Sequence, residues 1–553
     1  MPSDTTQSEG IPSPEGTVNT IDTEYEIGQD NIETQIGPFG LDIHNPVFAI
    51  SGLSVVAFVI YALLLPDQAS NFFEWLRPAV TDTFDWFFMS AANILVLFCL
   101  ALVVSPYGKV RLGGSEATPD YSYAGWFAML FAAGMGIGLM FFGVLEPVYH
   151  MAVSQPLNTP TPFGPDGAVI QDMQSQARDI GMAATIYHWG LHPWAIYAVL
   201  ALALALFSYN KGLPLTIRSA FYPILGDRVW GWWGHVIDIT AVFATLFGLA
   251  TSLGFGAQQA ASGLEYVYGI PDTSTTQVLL ISGITAVALV SVLRGLDGGV
   301  KVLSEINMGL AALLLVFVLI VGPTLAILAA FGSGLVAYIV DLPALSNPIG
   351  RTDDSYRQGW TSFYWAWWIS WSPFVGMFIA RVSRGRTVRE FIVCVLLIPS
   401  LVCVMWMAVF GGTAIEQVFA NPESSAVKAQ VIDAYNPPLS LFAMLSELPL
   451  AAITSTLAIV LVIVFFVTSS DSGSLVIDTI TAGGKTDAPI PQRVFWCIFE
   501  GLVAVVLLIG GGLGALQAMV LTTGFPFAIV LLALCVCIWL GLRSETAAIK
   551  RAN

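Results

Sequence analysis

The sequence predicts an all-α protein that crosses a membrane repeatedly, with twelve spanning helices, and three observations predict it. Of 553 residues, 56% are hydrophobic and 11% charged, with a mean hydropathy of +0.75, whereas soluble chains carry about 25% charged residues. The apolar residues gather into twelve stretches near the roughly 20 residues that a bilayer core requires. The basic residues fall in alternate loops between those stretches.

Residues 1–45 contain neither Lys nor Arg and are rich in Ser, Thr, Gly, Asp and Glu, a composition that predicts an unordered acidic tail. No positive segment followed at once by an apolar stretch is present there, so the first span is expected to serve as the insertion signal. Two spans follow within residues 46–105, at Pro46–Leu65 and Trp86–Val104. Residues 120–335 hold the next five, at Ala124–Leu145, Met182–Phe207, Val236–Tyr266, Gln277–Leu293 and Met308–Phe331. Residues 358–543 hold the last five, at Trp360–Ala380, Phe391–Gly411, Ile453–Ile477, Val494–Ile509 and Leu516–Leu540, and residues 544–553 form a short tail.

An even number of spans puts both termini on one side. Of the 21 basic residues, all but Arg77, Arg178, Arg351, Arg357 and Lys428 fall in the loops on that side. Because Lys and Arg stay on the cytoplasmic side of a membrane, both termini are expected in the cytoplasm of a cell whose inner, plasma membrane holds the chain. The net charge of -17 belongs to the tail and outer loops, which argues against a nucleic-acid partner and leaves lipid as the surrounding medium. Cys99, Cys394, Cys403, Cys497, Cys535 and Cys537 all lie in apolar runs without metal-ligand spacing and read as packing residues.

Two spans carry unusual backbone or polar content. In the third, Gly134, Gly136 and Gly138 alternate within Ala132–Met140; such a segment can unwind and free carbonyls for a cation, or can serve as a small-residue helix seam. In the tenth, Phe465 to Ser474 includes Thr468, Ser469, Ser470 and Asp471. Those hydroxyls suit a hard cation such as Na⁺, or bond to carbonyls one turn back on their own helix.

Aromatic residues mark the fourth and eighth spans. At 100° per residue, Trp189, Trp194 and Tyr197 lie at about 0°, 140° and 80°, and Tyr364, Trp367, Trp368 and Trp371 fall within about 100°. Such faces form interfacial belts or the walls of a cage for a cation that has no N–H to donate, each ring contributing roughly 0.5 to 2 kcal/mol. Neither aromatic span contains an acid at its core. Glu146, Asp238, Asp471 and Glu500 lie in or near spans, as proton relays or as helix-end and paired charges. His188 and His192 are spaced i, i+4, but no third metal ligand is evident.

The eighth-span string Phe363–Gly376, followed by Ala380 to Thr387, resembles the signature of the betaine/carnitine/choline transporter family, as do Ala132–Gly138, His188–Tyr197 and Thr468-Ser469. The resemblance implies two extra helices followed by two inverted five-helix repeats, and a homotrimer. It implies a secondary active symporter that imports an osmolyte by alternating access: glycine betaine first, or dimethylsulfoniopropionate, ectoine or carnitine. By the same resemblance, Trp189, Trp194, Tyr197 and Trp368 form the substrate cage, Trp367 and Trp371 line the pathway, and Gly134, Met135, Gly136 and Gly138 border it. A Na⁺ site would use Ala132, Met135, Phe465, Thr468 and Ser469, with no organic cofactor. The second Na⁺ site of such carriers falls here on Thr245 and Leu249; leucine cannot coordinate a cation, which leaves Thr245 and Ser252 as the available hydroxyls. The alternative is a proton-coupled or uncoupled choline or carnitine carrier of the same family; its proton-coupled choline carriers tend to have Asp where Gly138 stands, which favours a betaine-like zwitterion over choline. An intramembrane enzyme or receptor would need a nucleophile or metal constellation that the spans do not offer, and no GxxxxGK[ST] motif is present.

Overall fold

The computed structural model describes residues 12–36, 39–134, 136–294, 300–486 and 488–552. Among the described residues the named strands form one short hairpin, the other named elements are helices, and eleven helices are long and apolar enough to cross a membrane. In chain order the main ones are α1 (Asn45–Leu64), α2 (Pro66–Val104), α3 (Tyr123–Gly134), α4 (Ile137–Ala152), α5 (Gln174–Trp189), α6 (Leu191–Ala205) and α7 (Trp232–Tyr268). They continue with α8 (Ser274–Arg294), α9 (Val300–Val321), α10 (Thr324–Leu345), α11 (Ser362–Val382), α12 (Val388–Ala420), α13 (Ala451–Thr481) and α14 (Ile490–Ala552).

Burial separates a centre from a periphery. In the most apolar 18 residues of the stretch containing α5 and α6, 94% are buried within the protein, against 22% in those of α9 and of α10, so the former pack against protein on all sides and the latter turn most of their apolar surface outward. α11 packs on α6, α10 on α5, α4 on α5 and α12, and α14 on α2 and α7. The indole-bearing α5, α6 and α11 therefore sit inside the bundle, not in an interfacial belt.

Several helix ends follow from local chemistry. The seventh expected span, Met308–Phe331, straddles the end of α9 and the start of α10, because Pro323 cannot continue a helix from Gly322 and restricts its neighbour. The apolar run on both sides hides that break in the sequence. The fourth expected span is also divided, at Gly190, whose φ of -96° and ψ of -129° are non-helical. α14 contains both of the last two expected spans, which meet at non-helical Gly511 and Gly512. α12 begins with a capping box in which the Thr387 hydroxyl accepts from the Glu390 N–H.

Residues 12–44 depart from the unordered tail that composition suggests. Strands β1 (Asn31–Ile36) and β2 (Phe39–His44) form an antiparallel hairpin. Lys485 binds Asp42 at 2.6 Å and Glu33 at 2.9 Å, Glu15 pairs with Arg384, and Tyr25 stacks on Trp230 at 4.1 Å. The tail's acids find their partners in the basic loops, a pairing that composition within the tail cannot register. The final tail is helical, since α14 continues to Ala552 and buries Glu545 against Lys211 at 2.5 Å.

His44 closes the hairpin. It is fully buried, and its Nε2 accepts from Arg218 Nη1 at 3.3 Å. Burial, reinforced by the Arg218 charge, pushes its pKa down from 6.5 to about 3. A released His44 takes up a proton below pH 6.5 while the seated one resists until about 3, so attachment is complete above that window and weakens as pH falls through it. Hydrogen exchange of residues 31–44, corrected for intrinsic rates, should show protection falling on acidification below pH 6.5, with the dependence removed by His44→Gln.

Candidate functional site

The helix break that the alternating glycines suggest is present. α3 ends at Gly134, Gly136 is extended with φ of -172°, and α4 begins at Ile137; Met135 lies outside the described residues. Beside the break is a cavity of about 50 Å³, lined by Ala133, Gly136, Ile137, Gly138 and Leu139 on one side and by Trp189, Tyr197, Ser252, Trp367, Trp368 and Trp371 on the other. One water needs roughly 10–15 Å³, so the space suits a compact group. No charged side chain lines it among the described residues.

Trp189 meets both neighbouring indoles edge to face, and Tyr197 is tilted against Trp368. Trp189 and Trp368 stand 5.4 Å apart at 80°, Trp189 and Trp367 6.4 Å at 88°, and Tyr197 and Trp368 5.1 Å at 56°. Trp194 does not reach the cavity. It is fully buried behind the wall, 5.4 Å from Tyr197 and 5.8 Å from Trp368. The Gly190 break lies between Trp189 and Trp194, so the continuous-helix angles do not apply across it. Polar ends hold several rings in place: Trp367 Nε1 donates to Ser252 Oγ at 3.0 Å, and Trp371 Nε1 to the Gly248 carbonyl at 3.1 Å.

The residues considered for cations are placed differently. Thr468 donates to the Phe465 and Val464 carbonyls at 3.0 and 3.2 Å, one turn back on its own helix. Phe465 is buried, Ser469 partly buried and Ala132 exposed. Thr245 donates to the Ala241 carbonyl at 2.8 Å, and Ser252 to the Gly248 carbonyl at 3.2 Å besides accepting from Trp367. Thus Ser252 joins the cage wall, and Thr245 is occupied within its own helix.

Glu146 is the residue the sequence does not connect to the cage. From α4 it reaches between both aromatic helices, fully buried. Its Oε1 lies 2.5 Å from His188 Nδ1 and 3.1 Å from His150 Nε2, and its Oε2 accepts from Trp189 Nε1 at 2.7 Å and from the Tyr364 hydroxyl at 2.6 Å. Glu146, His150 and His188 lie close enough to hold a metal ion. Their outer nitrogens are also engaged, by Ser154 at 2.7 Å and Thr361 at 2.9 Å, so the group is complete as a hydrogen-bond network. His192 turns away to Asn93 at 3.0 Å and stacks on Trp365; the partners of His188 come from another helix, which spacing within one helix cannot reveal. Among the other buried acids, Asp238 pairs with Arg218 at 3.0 Å, Asp471 accepts from Ser291 at 2.5 Å, and Glu500 accepts from Ser470 at 3.2 Å and Ser474 at 3.3 Å.

The model of the BCCT family, betaine/carnitine/choline transporters, matches residues 46–547, from the first helix to the last. The chain belongs to the betaine/carnitine/choline transporter family. It is a multi-pass membrane transporter and not an enzyme. It is 61% identical to a glycine betaine/proline/choline transporter of Vibrio parahaemolyticus over 98% of each chain. It is 54% identical to a glycine betaine transporter of the same organism, covering 95% of this chain and 97% of that one. A glycine betaine transporter of Bacillus subtilis is 41% identical, over 92% of this chain and 96% of its own.

Gly138 sets how closely this family member's rings approach the broken helix. A Cβ there would stand 2.7 Å from Trp189 Cη2 and 2.9 Å from Trp367 Cη2, whereas one at Gly136 would meet nothing within 4 Å. Both indoles are pinned by their N–H bonds, so neither can yield freely. Gly138→Ala should destabilise the protein by about 1–3 kcal/mol through overpacking, seen as a lower melting temperature than that of Gly136→Ala; equal melting temperatures would contradict the packing.

Proposed function

We propose that this chain is a secondary transporter that imports a compact quaternary-ammonium osmolyte, glycine betaine first, by Na⁺ symport through alternating access. The observation that carries this reading is the cavity between Gly138 and the rings of Trp189, Tyr197, Trp367 and Trp368, which has aromatic walls and, among the described residues, no charged lining. A trimethylammonium group has no N–H to satisfy, so it loses little on leaving water for such a wall and gains the attraction of each ring face. The names of the relatives in Vibrio and Bacillus support the same substrate class.

Gly138 leaves no carboxylate where the family's proton-coupled choline carriers tend to place Asp, which favours a betaine-like zwitterion over that reading. For coupling, a Na⁺ ion would draw Thr468 from its own carbonyls, together with Ser469, the Phe465 carbonyl and the opened backbone beside Gly136. Binding there would join α13 to the broken third span and favour closure of the cage, so that ion and osmolyte cross together.

Proteoliposomes containing the purified protein should accumulate labelled glycine betaine when an inward Na⁺ gradient is imposed. Equal accumulation with and without that gradient would remove Na⁺ from the scheme. Trp368→Ala, which deletes one face of the cage, should weaken binding by about 2- to 30-fold, the worth of a single cation–π contact, and an unchanged affinity would deny Trp368 its role.

A further inference from the structure

A buried carboxylate in the middle of a membrane protein needs as many donors as water would have given it. Glu146 meets four hydrogen-bonding groups within 3.1 Å: ring nitrogens of His188 and His150 at one oxygen, and the Trp189 N–H and Tyr364 O–H donating to the other. No Lys or Arg pairs with it among the described residues. Trp189 and Tyr364 can only donate to Oε2, and two neutral imidazoles that each donate to Oε1 complete the shell of an ionised carboxylate. In that arrangement each imidazole presents an N–H to Glu146 and leaves its other nitrogen to accept from the Ser154 or Thr361 hydroxyl beside it. Among the described residues only the two imidazoles could pair with its charge.

Two of the four donors belong to the aromatic wall. Trp189 lines the cavity, and Tyr364 stands behind it, 5.7 Å from Trp189 and 6.1 Å from Trp367. An indole whose N–H is given to a carboxylate is fixed in its plane and made more electron-rich, which strengthens its attraction for a cation over its face. The charge also lies one ring away from the cavity, in surroundings where little water screens it.

We infer that Glu146 is the fixed counter-charge and positioning residue of the cage, holding Trp189 and Tyr364 by their N–H and O–H and adding negative potential to the wall that receives the cationic head group. This rests on the proposed substrate class. It also divides recognition into two parts: the rings supply shape and the carboxylate supplies the preference for charge.

The test uses the full-length protein in nanodiscs and two ligands of the same shape, glycine betaine and its neutral-head isostere 3,3-dimethylbutanoate. If the wild type binds no glycine betaine, the proposed substrate class fails and this inference with it. If the wild type binds it, Glu146→Gln should reduce the betaine-to-isostere affinity ratio by at least about tenfold, the scale of one charge acting at short range. A merely structural role would weaken both ligands alike. Glu146→Asp, which keeps the charge on an arm too short to reach all four donors, should weaken both ligands and preserve the ratio, and it provides the reading if the Gln variant does not fold. A ratio unchanged in Glu146→Gln, or collapsed in Glu146→Asp, overturns the inference.

Discussion

Two indoles close over a bare backbone: Trp189 and Trp367 approach Gly138 so nearly that one added carbon would lie within 3 Å of each. That contact requires a glycine, a helix broken just before it, and two tryptophans delivered from different helices. α5 ends at Trp189 because Gly190 turns the chain, and α11 carries Trp367 and Trp368 through the centre of the bundle. The cavity exists because the break opens backbone where side chains would otherwise fill the space. Everything polar around it serves to hold the rings: Ser252 for Trp367, the Gly248 carbonyl for Trp371, and Glu146 for Trp189.

The helical class and the aromatic helices were legible in the sequence because they depend on composition and on spacing within single segments. The glycine break was legible for the same reason, at Gly134–Gly138. What spacing could not give was contact between segments. Glu146 reads as a helix-end acid until α4, α5 and α11 are seen together, and Trp194 reads as a cage wall until Gly190 turns it into the layer behind. The break at Pro323 was hidden because apolar residues flank it on both sides, so a single span of the right length could be drawn across two helices.

Charge tells a parallel story at the N-terminal segment. Read alone, residues 1–45 have the acidity and low hydrophobicity of an unordered chain, and the basic loops read as markers of topology. Placed together, Lys485 takes Asp42 and Glu33, and Arg384 takes Glu15 and Asp120. The loops that hold this segment are among those that the distribution of Lys and Arg assigns to one side of the membrane, so the same residues that mark the side also order the tail.

Transport by such a cage depends on where the positive head group rests. Crystals of the protein grown with the trimethylarsonium analogue of glycine betaine would mark that position through the anomalous scattering of arsenic. A single arsenic peak enclosed by Trp189, Tyr197, Trp367 and Trp368, beside Gly138, is the result expected. A peak outside those rings, with the cavity filled by side chains, would contradict it.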